Sequence, residues 1–180
     1  MLTPPESFGV SVRDMRRLDG TDVRLLLALV ADPRGTVVAF AQALGLSRNT
    51  VQARMTALES RGALLPFDRR IDPVALGYQL TAFITVHVHQ PRLPAIVQGL
   101  AQIPEVVEAY GLSGPSDLLL RVVARDAEDL FRINGAVLAV AGVERAETSL
   151  AMGEVIPYRM VPLLEASGRA HPATAHETLG

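Results

Sequence analysis

Cysteine, tryptophan and lysine are all missing from this 180-residue chain. Without cysteine there is no disulfide framework, no thiol nucleophile and no Cys-ligated zinc, a pattern that fits a reducing cytoplasm. No apolar run approaches the roughly 18 residues of a membrane span, and no apolar signal region follows the N-terminus, so no membrane partner is expected. A glycine-rich phosphate loop, an HExxH pair and a nucleophile elbow are also absent, which removes the common signatures of nucleotide, zinc-protease and serine-hydrolase chemistry. No cofactor is expected. With lysine gone, all 17 basic residues are arginine, each a capable fork for phosphate. What remains is 49% apolar, too much for a disordered chain and enough for one or two buried cores.

The most informative stretch runs from Thr36 to Gly62. Val37, Phe40, Ala41 and Leu44 recur at i, i+3, i+4 and i+7, one apolar helix face. Gly45 follows where a left-handed residue ends a helix at least steric cost, and Ser47 is placed to cap the next one. That second helix buries Val51, Met55 and Leu58, turns Arg48, Asn49, Gln52 and Thr56 outward, and stops at Gly62. A short helix, a glycine turn and a longer polar-fronted helix is the layout of a helix-turn-helix, whose second helix enters the DNA major groove. Arg pairs with guanine, and Asn or Gln with adenine, each worth about 1–3 kcal/mol of discrimination. Arg48, Asn49 and Gln52 are therefore expected to read bases, with Ser47, Thr50 and Arg54 nearer the phosphates.

Charge supports that placement once it is divided. The total is −2, but residues 1–72 hold ten arginines against eight acids, and residues 73–180 hold seven against eleven. A front half at +2 binds DNA weakly alone, because affinity grows with the phosphates neutralised. An oligomer that sets two such helices on one double-stranded DNA is favoured.

Upstream, residues 1–17 read as a mobile arm, and Leu18-Asp19 opens a supporting helix with Val23, Leu26, Leu27 and Val30 on one face and Asp32-Pro33 at its end. Downstream of Gly62, Pro66 to Ile71 reads as a broken extended segment, a wing or linking strand that places Arg69 and Arg70 toward phosphates. Pro66 confines any such strand to an edge. From Leu80 the pattern changes: Leu80–His89 as a strand, Leu93 to Ile103 as a helix, then strands over Val106–Gly111 and Asp117–Ala124. A helix capped by Asp126 follows, then a strand over Val143–Leu150, with Val155–Leu163 as a possible fifth. The fold class is α+β: a (winged) helix-turn-helix followed by a ferredoxin-like β-α-β-β-α-β module. Domain bounds are drawn at 18–65 for the first, 66–78 for a linker, 79–166 for the second and 167–180 for a disordered tail.

This arrangement resembles the Lrp/AsnC (feast/famine) family of transcription regulators. The resemblance is carried by Leu18-Asp19 with Asp22, GLSRNTV with Leu58-Glu59 and Gly62, and Ile71-Asp72-Pro73 with Leu76-Gly77. Pro104-Glu105-Val106, Gly114 with Asp117, and Gly142-Val143 with Thr148 carry it through the second domain. It implies a homodimer formed through the C-terminal sheet, assembly in some members to a homo-octamer, and an amino acid or similar effector. By the same resemblance, Gly114, Ser116, Asp117 and Thr148 are expected to bind that effector. The chain departs from the family at Arg48, where proline is usual, and at Gln52 and Ala53, where arginines are common. Its effector loop reads Gly114-Pro115-Ser116-Asp117, short of an acid and an aromatic.

Two bland readings compete with sharper ones, and two other functions compete with regulation. His87 and His89 alternate on one strand as a metal pair would, but no third ligand is near, so a packed or interface pair is expected and no metal. Asp117 has the alternative role of capping an ordinary glycine hairpin. Siroheme decarboxylases resemble the same two-domain layout, yet they surround a tetrapyrrole with His, Tyr, Arg and Trp; this chain has no Trp, three Tyr and four His, two of them near the C-terminus. A sensor that no longer binds DNA is the second such alternative. The expected function is transcription regulation rather than catalysis.

Overall fold

The computed structural model describes residues 18–65 and 67–170. The expected arm over 1–17, the edge role of Pro66 and residues 171–180 of the expected tail lie outside the described residues, while residues 167–170 of that tail are helical. In chain order the elements are α1 (Gly20–Ala31), α2 (Val37–Leu44), α3 (Arg48–Ser60), β1 (Leu80–Val88) and α4 (Leu93–Leu100). They continue with β2 (Val106–Gly111), β3 (Leu118–Ala124), α5 (Ala127–Leu138), β4 (Val143–Leu150) and α6 (Val161–Ala170). Two compact units divide them, residues 70–155 in one and residues 18–69 with 156–170 in the other.

The helical unit follows its local signals closely. Asp19 caps α1 by accepting from Asp22 N at 2.8 Å, and the Asp22 carboxylate accepts in return from Asp19 N at 3.3 Å. This reciprocal box satisfies two backbone donors that a helix start leaves unpaired. Thr36 caps α2, and Gly45 ends it with φ of 67°. Val23, Leu25, Leu26, Phe40, Ala41, Val51, Leu58 and Leu164 form the core. Each large member contributes about 1.5–3 kcal/mol through the surface it removes from water. One expected core position is corrected: Val30 is 51% exposed, and Leu25 is fully buried instead. Because α1 packs against α2, α3 and α6, its buried surface is wider than a single stripe.

No strand forms among the described residues between α3 and β1. Residues Phe67–Arg70 and Pro73–Leu76 are short 3-10 turns, the second capped by Asp72, whose carboxylate accepts from Val74 N. The expected wing is thus replaced by two turns, each closed by local hydrogen bonds that leave no extended edge to pair.

The other unit is a four-stranded antiparallel sheet in the order β2-β3-β1-β4, the expected ferredoxin-like arrangement. Ile84 and Val86 of β1, with Leu118, Leu120 and Val122 of β3, pack against Ile96 and Leu100 of α4 and Ile133 and Val137 of α5. The opposite face carries Phe83, Thr85, Arg121 and Glu147, paired in register as Phe83 with Arg121 and Thr85 with Glu147. A fifth strand is not formed. Residues 151–160 adopt neither helix nor strand, and Met152, Val155 and Tyr158 stand in solvent. Gly153 at φ of 156° and Pro157, which has no N–H to donate, keep this β-rich composition out of a ladder.

Candidate nucleic-acid interface and effector loop

The front of α3 is built by its cap. Ser47 Oγ accepts from Thr50 N at 3.1 Å and lies 2.8 Å from Thr50 Oγ1, so the two hydroxyls fix each other at the first turn. Val51 and Leu58 anchor the helix inward. That rotation leaves Arg48, Asn49, Thr50 and Gln52 exposed together on the outer face of its first turns. Long polar side chains carried on a rigid, capped helix form a surface suited to base edges in a major groove. Arg69 and Arg70 are exposed on the first 3-10 turn.

Arg54 behaves differently from its expected role. Its Nη1 lies 2.7 Å from Asp19 Oδ2 and 2.6 Å from Asp22 Oδ1, so the guanidinium closes an ion triad between α3 and the start of α1. Asp22 is buried, and the Arg54 side chain is only 30% exposed. The structure thus places the guanidinium, expected at a phosphate, against two carboxylates of its own chain, because seven residues into α3 the helix has turned this position back toward α1. The signal was present in the Asp19-x-x-Asp22 spacing, which marks a capping box whose carboxylates attract a cation. Burial pushes the Asp19 carboxyl up, but the hydrogen bonds from Arg54 and from Asp22 N outweigh it and hold it below its ordinary value.

In the sheet unit, the loop expected to bind an effector leads into β3. Asp117 accepts from Val88 N at 2.8 Å and from Gln90 Nε2, fastening the end of β1. These bonds hold its carboxyl below the usual range, the one from Val88 N contributing most. Ser116 Oγ lies 3.5 Å from His87 Nε2, and Gly114 sits at the exposed tip. Thr148 is not joined to this loop by a hydrogen bond; it donates to Asn134 Oδ1 of α5 at 3.0 Å. His89 lies beyond the end of β1, 3.9 Å from Glu144 Oε1, and among the described residues no group of three His, Cys, Asp or Glu is placed to hold a metal.

Asp129 is also held low, chiefly by the Arg125 N–H and then by Arg132. Asp19, Asp117 and Asp129 thus bind protons less readily folded than unfolded. The stability they contribute is present above the unfolded carboxyl range and drains as pH falls through it toward their lower folded values. Thermal unfolding followed by circular dichroism is expected to show the midpoint falling between about pH 5 and pH 3. A midpoint that stays level across that window contradicts the assignment.

Comparison with known proteins matches both units. A family model for the AsnC-type helix-turn-helix domain covers residues 18–59, and one for the Lrp/AsnC ligand binding domain covers residues 81–161. The transcriptional regulator AldR of Mycolicibacterium smegmatis is 37% identical over 131 residues, which is 71% of this chain and 75% of AldR. The crystal structure of the leucine response regulatory protein LrpA of Mycobacterium tuberculosis superposes with a TM-score of 0.69 at 31% identity, covering 79% of this chain and 97% of LrpA. A transcriptional regulator of Neisseria meningitidis, solved as its L-Met complex, shares the fold at a TM-score of 0.68 and 24% identity, covering 81% and 99% of the two chains. The named curated relatives are transcription regulators and not enzymes.

Proposed function

This chain belongs to the Lrp/AsnC family of DNA-binding transcriptional regulators, and we propose that it binds a specific operator as a homodimer under control of an amino acid or related metabolite. The observation that carries the DNA-reading part is the capped, outward-facing front of α3, with Arg48, Asn49 and Gln52 presented together. Ser47 and Thr50 stand beside them, and Arg69 and Arg70 supply further cationic reach toward the backbone. Two such helices, about 34–36 Å apart or at multiples of that, fit successive major grooves on one face of a duplex.

Pairing is supported by the uncovered sheet face, where Phe83 is 39% exposed on the central strand β1. A second copy laid on that face removes this surface from water. Pairs of such dimers extend the assembly toward an octamer. The ligand-binding domain supports a small-molecule effector, and the L-Met complex of the Neisseria protein points to the amino-acid class. Gly114, Ser116 and Asp117 belong to the loop assigned to it, with Thr148 on the edge strand β4, across β1 from β3. An effector regulates only by binding one assembly more tightly than another, which shifts the population that presents paired α3 helices. The setting is cytoplasmic, and no described helix is long and apolar enough to cross a membrane.

The test uses the DNA upstream of the protein's own gene. Fluorescence anisotropy with the Arg48→Ala, Gln52→Ala double variant is expected to show binding weakened at least about tenfold, since each base contact is worth about 1–3 kcal/mol. Mass by light scattering should stay that of wild type. Equal binding by the double variant removes α3 as the reading helix, and an absence of any complex with wild-type protein favours the sensor that has lost DNA binding.

A further inference from the structure

Helix α6 stands outside both family modules. The helix-turn-helix match ends at residue 59, and the ligand-binding match ends at residue 161, the first residue of α6. Yet α6 belongs to the helical unit with α1, α2 and α3. Leu164 is only 8% exposed, within the same core as Val23, Leu25 and Leu58. Gly20 of α1 and Gly168 of α6 line the cleft between the two helices, and a Cβ built on Gly168 would lie 3.4 Å from Val23 Cγ1. A methyl at Gly168 would meet Val23 in ordinary van der Waals contact, which puts this turn of α6 directly over Val23.

From this packing we infer that the outer face of α1 is a docking surface whose occupant is this chain's own C-terminal helix. Through α1, α6 positions the reading helix α3. Val23, which meets α6, directly follows Asp22, which holds Arg54 of α3 by a 2.6 Å ion pair. Docking of α6 thus steadies the very turn of α1 that fixes the rotation of α3. It also joins the sheet unit to the helical unit by two covalent connections, one on each side of residues 70–155. A helix carried on the exit from β4 makes the stability of the reading unit depend on the chain that leaves the ligand-binding sheet. The positioning role rests on the DNA-reading assignment made above, whereas the docking itself does not.

Because the chain has no cysteine, an engineered pair is unambiguous. The full-length Val23→Cys, Gly168→Cys variant is expected to form an intramolecular disulfide under mild oxidation, since a Cβ on Gly168 would lie 3.4 Å from Val23 Cγ1, the place a sulfur at position 23 can take. On a non-reducing gel it should run as a faster monomer band. Failure to cross-link overturns the docking, and a covalent dimer overturns it in favour of α6 serving a second copy. In full-length Leu164→Asp, hydrogen exchange at the α1 amides is expected to accelerate roughly tenfold or more while β1 and β3 keep their protection. Unchanged exchange in α1, or equal loss in the sheet, overturns the inference. The same variant should bind operator DNA at least about tenfold more weakly with an unchanged salt slope, as expected for a residue that touches no phosphate. Wild-type binding by Leu164→Asp overturns the positioning role. If wild-type protein forms no complex with DNA, the operator reading fails, and cross-linking and exchange still decide the docking.

Discussion

Replacing Arg54 with methionine is expected to cost about 2–4 kcal/mol of stability, among the largest effects of any single change in the helical unit. The reasoning follows from what is left behind. Asp22 is buried and loses its 2.6 Å cation, so its charge remains inside the protein with only the 3.3 Å bond from Asp19 N to offset it. Partial exposure of Arg54 and of Asp19 places the cost toward the lower part of the range for buried pairs. Lysine at the same position should restore only part of it, because an ammonium is more strongly hydrated than a guanidinium and costs more to hold against the buried Asp22. Urea denaturation measures the loss. Operator binding separates a clamp from a phosphate contact: removing a phosphate contact lowers the salt slope by about 0.9, whereas removing an internal clamp leaves it unchanged. A stable Arg54→Met protein with a reduced slope would return Arg54 to the DNA surface.

A comparable loss, about 2–4 kcal/mol, is expected for Gly142→Ala in the sheet unit. Gly142 joins α5 to β4 at φ of 109°, a conformation that side chains avoid, and its carbonyl accepts from His89 N at 2.9 Å. An added Cβ would lie 2.8 Å from Ile96 Cδ1 and 3.1 Å from Ile96 Cγ1. Ile96 is fully buried on α4, so it has little freedom to withdraw. Gly77 supplies the control, since it shares a positive φ of 91° but has nothing within 4 Å of the added atom. Gly77→Ala should therefore show the backbone cost alone, about 1 kcal/mol. Equal urea midpoints for the two variants would remove the steric part of the argument.

The elements that were legible in the sequence are those whose signals are local. Thr36, Gly45, Ser47 and Gly62 mark the ends of α2 and α3 within a residue or so, because caps and left-handed glycines act on the turn beside them. The bounds of β2 and β4 matched the reading for a similar reason, each following a helix stop. What escaped depends on partners far along the chain. Val155, Ile156 and Tyr158 have the composition of a strand but pair with neither edge strand, β2 or β4, and Val161 with Leu164 became a helix whose apolar side is covered by α1, about 140 residues earlier. Pro162 in its first turn was the one local hint of that start. At the reading helix, the exposed set of Arg48, Asn49 and Gln52 was legible from period alone, whereas the inward turn of Arg54 was not. Its position on the helix face is ambiguous until the carboxylates of α1 are in place. For Asp117 the plain reading came close: its carboxylate fastens neighbouring backbone, although at the end of β1 rather than within its own hairpin.

The helical unit has one practical consequence for dissecting the protein. A reading head excised as residues 18–69 would lack Leu164 and leave the outer flank of Val23 bare, so poor behaviour of that fragment would say little about its capacity for DNA. A faithful miniature instead splices the two ends of the molecule together across a short linker and discards the middle. The sheet, for its part, is a cassette lodged inside another domain, and sensors swapped into its place would arrive already wired at both ends.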